Sequence, residues 1–243
     1  MATLTDFNAL TFDCYGTLID WETGIRVALE AWRKREYLQV DDQELIEAFG
    51  RHEWVQEQET PELPYPEILA RVLKRMAAGW GVRASSADAA AFGRSVRHWP
   101  AFVDSAAALE YLKQHYQLVI LSNVDRESFS YSNAKLGVAF DHIFTAQDIG
   151  SYKPDLRNFV FMLDKLAMAG VEHTQVLHTA ESLYHDHIPA KKLGLATNWI
   201  YRRFAQKGFG ATPPPTEEVT PDFRFNSMAE FVDAHRAALH AAA

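Results

Sequence analysis

The sequence predicts an α/β protein, a parallel sheet flanked by helices, with a helical insert after its first strand. Three observations carry this. Short apolar, β-rich runs at Phe7–Phe12, Gln117–Leu121, Asp141–Ala146, Gln175–Thr179, Leu195–Ile200 and Asp222–Phe225 alternate with stretches of helical spacing. Such alternation requires a parallel sheet with helices on both faces. Residues 20–99 differ from the rest, being rich in Glu, Arg, Ala and Trp with helical periodicity. Finally, Asp13 and Ser122-Asn123 stand just past apolar runs, where open α/β sheets place their chemistry. Residues 1–19 and 100–243 are therefore read as the α/β core, and 20–99 as a helical insert.

The elements follow in chain order. Phe7–Phe12 reads as a buried parallel strand, broken by Gly16 and Thr17. In the insert, Ile25, Ala28, Leu29 and Trp32 mark a first helix, and Leu45, Ile46 and Phe49 a second that Asp41-Asp42 can cap. Pro61, Pro64 and Pro66 punctuate a loop before a third helix, which carries Ile68, Leu69, Val72, Leu73, Met76 and Trp80. Ser85-Ser86-Ala87-Asp88 reads as a capping box for a fourth. Pro100 marks the return to the core. Helices are expected at 105–115, at 125–136 with Gly137 as its stop, and after Pro154 to about Ala169. One more is expected at 185–193, where Pro189 fits only near its start. Ser227-Met-Ala-Glu230 caps the last.

With 243 residues, 48% of them apolar, the chain suits one large domain or a core plus a smaller insert. The net charge of −8 and the lack of a basic stripe argue against nucleic acid as a partner. Arg202-Arg203 and Lys191-Lys192 read as short solvated pairs. A single cysteine, Cys14, excludes an intrachain disulfide and suits a reducing compartment; beside Asp13 it reads as packing. The N-terminus lacks a basic-then-apolar signal pattern, and no apolar run is long enough to span a bilayer. The expectation is a soluble cytoplasmic protein without membrane contact.

The chemistry is concentrated in four stretches. A carboxylate at Asp13, held among loop amides past a strand, is a natural nucleophile. Ser122 and Asn123 can hold a carboxylate or an oxyanion without adding charge. Lys153, kept out of helix by Pro154, would keep Asp13 ionised and help an acidic substrate approach. Glu181-Ser-Leu-Tyr-His-Asp186 follows a strand and adds two acids. His178, His185 and His187 lie nearby, but their spacing gives no tetrahedral metal set, and they read as structural.

Together, Leu10-Thr-Phe-Asp-Cys-Tyr-Gly-Thr-Leu18, Ser122-Asn123, Ser-Tyr-Lys153-Pro-Asp and Glu181 to Asp186 resemble the four motifs of the haloacid dehalogenase (HAD) superfamily, in order and over essentially the whole chain. The phosphatases of that superfamily carry a second aspartate two residues after the nucleophile. Here that position is Tyr15, so the chain looks like the 2-haloacid dehalogenase branch. The resemblance implies a Rossmann-like core and a cap domain at 20–99 that excludes water and contacts substrate. It also implies a hydrolase that needs neither metal nor cofactor. Asp13 would attack C2 of a short (S)-2-haloalkanoic acid, and Asp186 would help water cleave the resulting ester. Thr17 would set the rotamer of Asp13. Lys153, Ser122 and Asn123 would hold the nucleophile and the substrate carboxylate, with Tyr15, Ser182 and the cap tryptophans around them. Arg51 is the expected halide acceptor, with Arg26 in reserve. Glu181, grouped with the substrate-binding residues, departs from both branches. Phe159 replaces a tyrosine frequent in the dehalogenases. The expected partner is a small carboxylic acid, and homodimers are common in the resembled family.

Three rivals stand beside this reading. A magnesium phosphatase would keep most of these residues, but a phenol at Tyr15 is a poor substitute for its acid/base carboxylate. A second rival opens another electrophilic C2, such as that of a strained ring bearing a carboxylate. A non-catalytic binding protein is the third, although such a chain would be expected to have lost Asp13 or Lys153.

Overall fold

The computed structural model describes residues 2–242. Its sheet has six strands, β1 (Ala9–Phe12), β2 (Gln117–Ser122), β3 (His142–Thr145), β4 (Val176–Ala180), β5 (Ala196–Ile200) and β6 (Phe223–Phe225). They are ordered β3-β2-β1-β4-β5-β6 and paired parallel throughout. β1 lies at the centre, with Phe12 beside Ile120 and Thr179. The sheet is apolar on both faces because helices cover both. Along β2, Leu118 and Ile120 join one core cluster while Val119 and Leu121 join the other, the two-residue period of a strand.

Helices α1 (Trp21–Arg35), α2 (Asp42–Glu59), α3 (Tyr65–Gly79) and α4 (Ser86–Gly93) all lie between β1 and β2. The chain leaves at Ile19 and returns at Ala101, and these two residues pair as an antiparallel bridge. Close approach sets the packing of this helical layer. A Cβ on Gly24 of α1 would lie 2.3 Å from Trp99 Cγ, and one on Gly93 of α4 would lie 2.4 Å from the Pro66 carbonyl oxygen. Asp41 caps α2 through the Glu44 amide (2.8 Å), and Ser85 caps α4 through that of Asp88 (3.1 Å). Pro66 falls inside the first turn of α3 instead of in the preceding loop, where a missing N–H costs nothing.

The remaining helices are α5 (Ser105–Leu112), α6 (Arg126–Leu136), α7 (Ala146–Ile149), α8 (Leu156–Met168), α9 (Ile188–Lys192) and α10 (Met228–Ala242). Gly137 ends α6 in a left-handed conformation. Ser227 caps α10 by accepting from the Glu230 amide at 3.0 Å. One departure matters for the site. The expected helix at 185–193 is a wider π-helical turn, Leu183–His187, leading into the short α9. Pro189 occupies the first turn of α9, which is why a regular helix begins only there. Among the described residues no helix is long and apolar enough to cross a membrane.

Candidate active site

The carboxyl ends of β1, β2 and β4 converge on Asp13. Gly16, with φ of 92°, lets the loop after β1 turn back. Its successor Thr17 then donates to Asp13 Oδ2 at 2.7 Å and accepts from the Glu181 amide at 2.9 Å. Lys153 reaches in from the loop between α7 and α8. Its Nζ donates to Asp13 Oδ1 (2.9 Å), Asp186 Oδ1 (2.7 Å) and the Leu121 carbonyl (3.0 Å). Asn123 clasps this lysine by its backbone, accepting from the Lys153 amide at 2.7 Å and donating to its carbonyl at 3.1 Å. Behind Asp186, His178 Nε2 donates to Oδ1 at 3.0 Å, which leaves Nδ1 to accept from Thr11 at 2.8 Å. One connected chain thus runs from Thr11 through His178, Asp186, Lys153 and Asp13 to Thr17.

Burial governs the electrostatics, since the low-dielectric interior penalises isolated charge. It lowers the proton affinity of a lone ammonium, yet the two carboxylates hold Lys153 charged with its pKa above the ordinary value. Asp186, although wholly buried, is held well below the usual carboxylate range by Lys153 and His178. Asp13 is raised by its burial, which Lys153 and Thr17 oppose. The Cys14 thiol is pushed up by burial and by neighbouring Asp13.

Asp13, Tyr15, Asn123, Lys153, Ser182 and Asp186 line one pocket, together with Trp21. Thr17 and Ser122 lie buried beside it, the Ser122 hydroxyl without a partner among the described residues. Tyr15 contributes its ring but not its hydroxyl, which bonds Ser132 Oγ at 2.9 Å. Trp99 packs edge-on to that ring at 5.6 Å. Phe159 is fully buried, its ring edge-on to His178 at 5.2 Å, and it does not line the pocket.

Three expected contributors lie elsewhere. Arg51 is exposed and lines a separate, larger cavity of about 460 Å³ between α2 and residues 208–214. The reason is helical phase: Arg51 precedes Glu53 by two positions, roughly 200° around α2. The reserve residue Arg26 faces Glu22, Thr23 and Asp42 in another cleft. Glu181 also turns away, into the cleft shared with Arg26 and Arg203, where burial and Glu22 push it up to about 8. The π-helical turn aims its neighbours differently: the backbone of Glu181 holds Thr17 and Trp199, while Ser182, His185 and Asp186 face the pocket.

Six lining residues lie outside the site residues expected from the sequence: Glu53, Glu57, Tyr65, Val124, His185 and Thr212. Glu53 and Glu57 enter from α2 and are buried. Tyr65 donates to Glu53, and the Asn123 amide reaches Glu57 at 3.4 Å. Their signal is the apolar stripe of α2: Leu45, Ile46 and Phe49 extend by helical spacing to positions 53, 56 and 57, so acids there had to be buried. Burial pushes Glu53 up to about 8 and Glu57 well above its ordinary value. His185, expected to be structural, presents a buried Nε2 with no partner, and burial holds its pKa down at about 4.

Comparison with known proteins adds to this geometry. Residues 7–179 match the family model described as haloacid dehalogenase-like hydrolase. An (S)-2-haloacid dehalogenase from Pseudomonas putida is 27% identical over 225 residues, covering 86% of this chain and 92% of its own. A dehalogenase crystallised as an intermediate complex superposes with a TM-score of 0.76 at 22% identity, covering 95% of this chain and 97% of its own. The L-2-haloacid dehalogenase of Xanthobacter autotrophicus does so at 0.74 and 18%, covering 95% and 98%. These structural likenesses concern the fold.

Proposed function

The chain belongs to the haloacid dehalogenase-like hydrolases, and from that premise we propose that it hydrolyses a short (S)-2-haloalkanoic acid to the 2-hydroxy acid through an ester on Asp13. The observation that carries this reading is Lys153 Nζ standing between Asp13 and Asp186 at 2.9 and 2.7 Å. It leaves Asp13 an oriented, paired nucleophile. Among the described residues no cluster of three or more acids, histidines or cysteines is placed to hold the magnesium ion that a phosphatase would need. Tyr15 supports the same conclusion, because its hydroxyl is tied to Ser132 and its pKa is well above the ordinary phenol value. It is no acid/base partner for phosphoryl transfer.

In this mechanism Asp13 attacks C2 from the face opposite the leaving group, inverting that carbon. Asn123 holds the substrate carboxylate, and Ser182 with the rings of Tyr15 and Trp21 walls the pocket. Water then attacks the Asp13 acyl carbon. Asp186 Oδ2, which has no partner among the described residues, orients that water, and neutral His185 takes its proton through Nε2. The similarity to the Pseudomonas putida enzyme supports halide as the leaving group. The acids Glu53 and Glu57 favour a second reading, in which the same ester forms but the group displaced from C2 is not a halide.

The test is halide release from (S)-2-chloro- and (S)-2-bromopropanoate in EDTA, with p-nitrophenyl phosphate plus magnesium alongside. Halide is expected from the wild type, with a loss of at least about a thousandfold in Asp13→Asn. Phosphate release in the absence of halide release would overturn the reading.

A further inference from the structure

We propose that Glu53 and Glu57 form a leaving-group site for an amine nitrogen, and that the enzyme opens small, strained cyclic amino acids whose ring nitrogen is bonded to C2. This rests on the Asp13-ester reading and deepens it by naming the group displaced.

The pocket's charges point this way. Four acids line it, Asp13, Asp186, Glu53 and Glu57, against one cation, Lys153. That lysine already spends its three protons on Asp13, Asp186 and the Leu121 carbonyl. No arginine is among the lining residues, and Arg51 and Arg26 face other cavities. A departing chloride or bromide needs a positive or N–H-rich surface and is repelled by a glutamate carboxylate. A nitrogen that arrives as an ammonium and leaves as an amine needs what they offer.

The pair is built into the fold. Glu53 and Glu57 are one helical turn apart on α2, which brings their side chains together, and they are 5% and 2% exposed. Tyr65 fixes Glu53. The contacts of Glu57 to Asn123, at 3.4 and 3.5 Å, are long and leave its oxygens able to accept more. Two buried carboxyls one helical turn apart disfavour each other's ionisation. Burial raises both groups, so at neutral pH the pair keeps a proton.

The chemistry balances. The substrate enters as a zwitterion; its ring ammonium favours ionisation of one glutamate of the pair and, keeping both its protons, donates a hydrogen bond to that carboxylate. Asp13 attacks C2; the C2–N bond breaks, and its electrons go to nitrogen. The freed amine takes a proton from the neutral glutamic acid and becomes a primary ammonium. Water then cleaves the Asp13 ester: its oxygen stays on Asp13, one of its protons goes to the new 2-hydroxyl, and the other, taken first by His185, returns to the pair as the glutamic acid. Release of ring strain supplies the driving force that a poor leaving group lacks.

The experiment incubates wild type, Glu53→Gln and Glu57→Gln with L-azetidine-2-carboxylate and aziridine-2-carboxylate, following primary-amine formation and the mass of the product. Wild type with (S)-2-bromopropanoate runs in parallel. The expected result is an amino-2-hydroxy acid from the wild type, with turnover lower by about a hundredfold or more in each variant, the scale of a lost proton donor. Bromide release with both rings intact would overturn this inference and leave the Asp13 mechanism standing. Neither product would overturn both. Ring opening undiminished in the two folded variants would remove the glutamates from the reaction.

Discussion

At the scale of single residues, the site is organised by one buried ammonium. Lys153 is 1% exposed and holds two carboxylates that would otherwise repel each other inside the protein. Removing one partner of a buried ion pair strands the others, at a cost of about 3–5 kcal/mol. Lys153→Met is therefore expected to lower the urea midpoint sharply as well as abolish turnover; an unchanged midpoint would mean that the network contributes nothing to folding. Glu53 gives a second prediction, with the opposite sign from an ordinary surface acid. Its folded pKa is about 8 against 4.5 unfolded. Between those values the native state holds a proton that the unfolded chain has released, so this group's contribution to stability falls as pH rises. Glu53→Gln is expected to gain stability over wild type at about pH 8 and little at about pH 4, measured as the difference in Tm. Asp13, Thr17 and Asn123 were legible in the sequence because each lies on a short loop directly after an apolar strand, where position along the chain fixes position in space, whereas Lys153 and Asp186 stood out only through their motifs. Arg51, Glu53 and Glu57 were not, because their orientation depends on how α2 rotates as it docks.

At the scale of elements, that rotation has a visible cause. Gly50 of α2 presses on the chain at Ala211, where an added Cβ would lie 2.2 Å from the carbonyl oxygen. This contact sets the face on which Gly50, Glu53 and Glu57 follow one another at helical spacing. Gly50→Ala must push α2 away, at a cost of about 1–3 kcal/mol. Because α2 carries Glu53 and Glu57, the variant is expected to raise KM for the pocket's substrate; an unchanged KM would detach the position of α2 from binding. The π-helical turn Leu183–His187 was likewise hidden in sequence. Its residues alternate poorly with either helical or strand period, and only the wider turn buries His185, Asp186 and His187 together. The strands, by contrast, were readable to within one or two residues, since burial on both faces leaves a plain apolar run.

At the scale of the whole molecule, the helices between β1 and β2 share one apolar cluster with the sheet. It runs from Leu10, Phe12 and Leu177 through Tyr15 and Trp21 to Phe49, Tyr65 and Leu69. Such continuity predicts a single cooperative unfolding transition, with far-UV and near-UV signals coinciding; two separated transitions would show that the helical layer melts independently. The same continuity shapes the pocket, whose floor comes from the strand ends and whose roof comes from α2 and α3. The most direct test of the Asp13 ester is a single turnover in water enriched in heavy oxygen, with enzyme in excess over (S)-2-chloropropanoate. The mechanism predicts one heavy oxygen in the peptide containing Asp13 and none in the first-turnover hydroxy acid. Heavy oxygen in the product with Asp13 unlabelled would mean that water attacks C2 directly, and the covalent mechanism would be wrong.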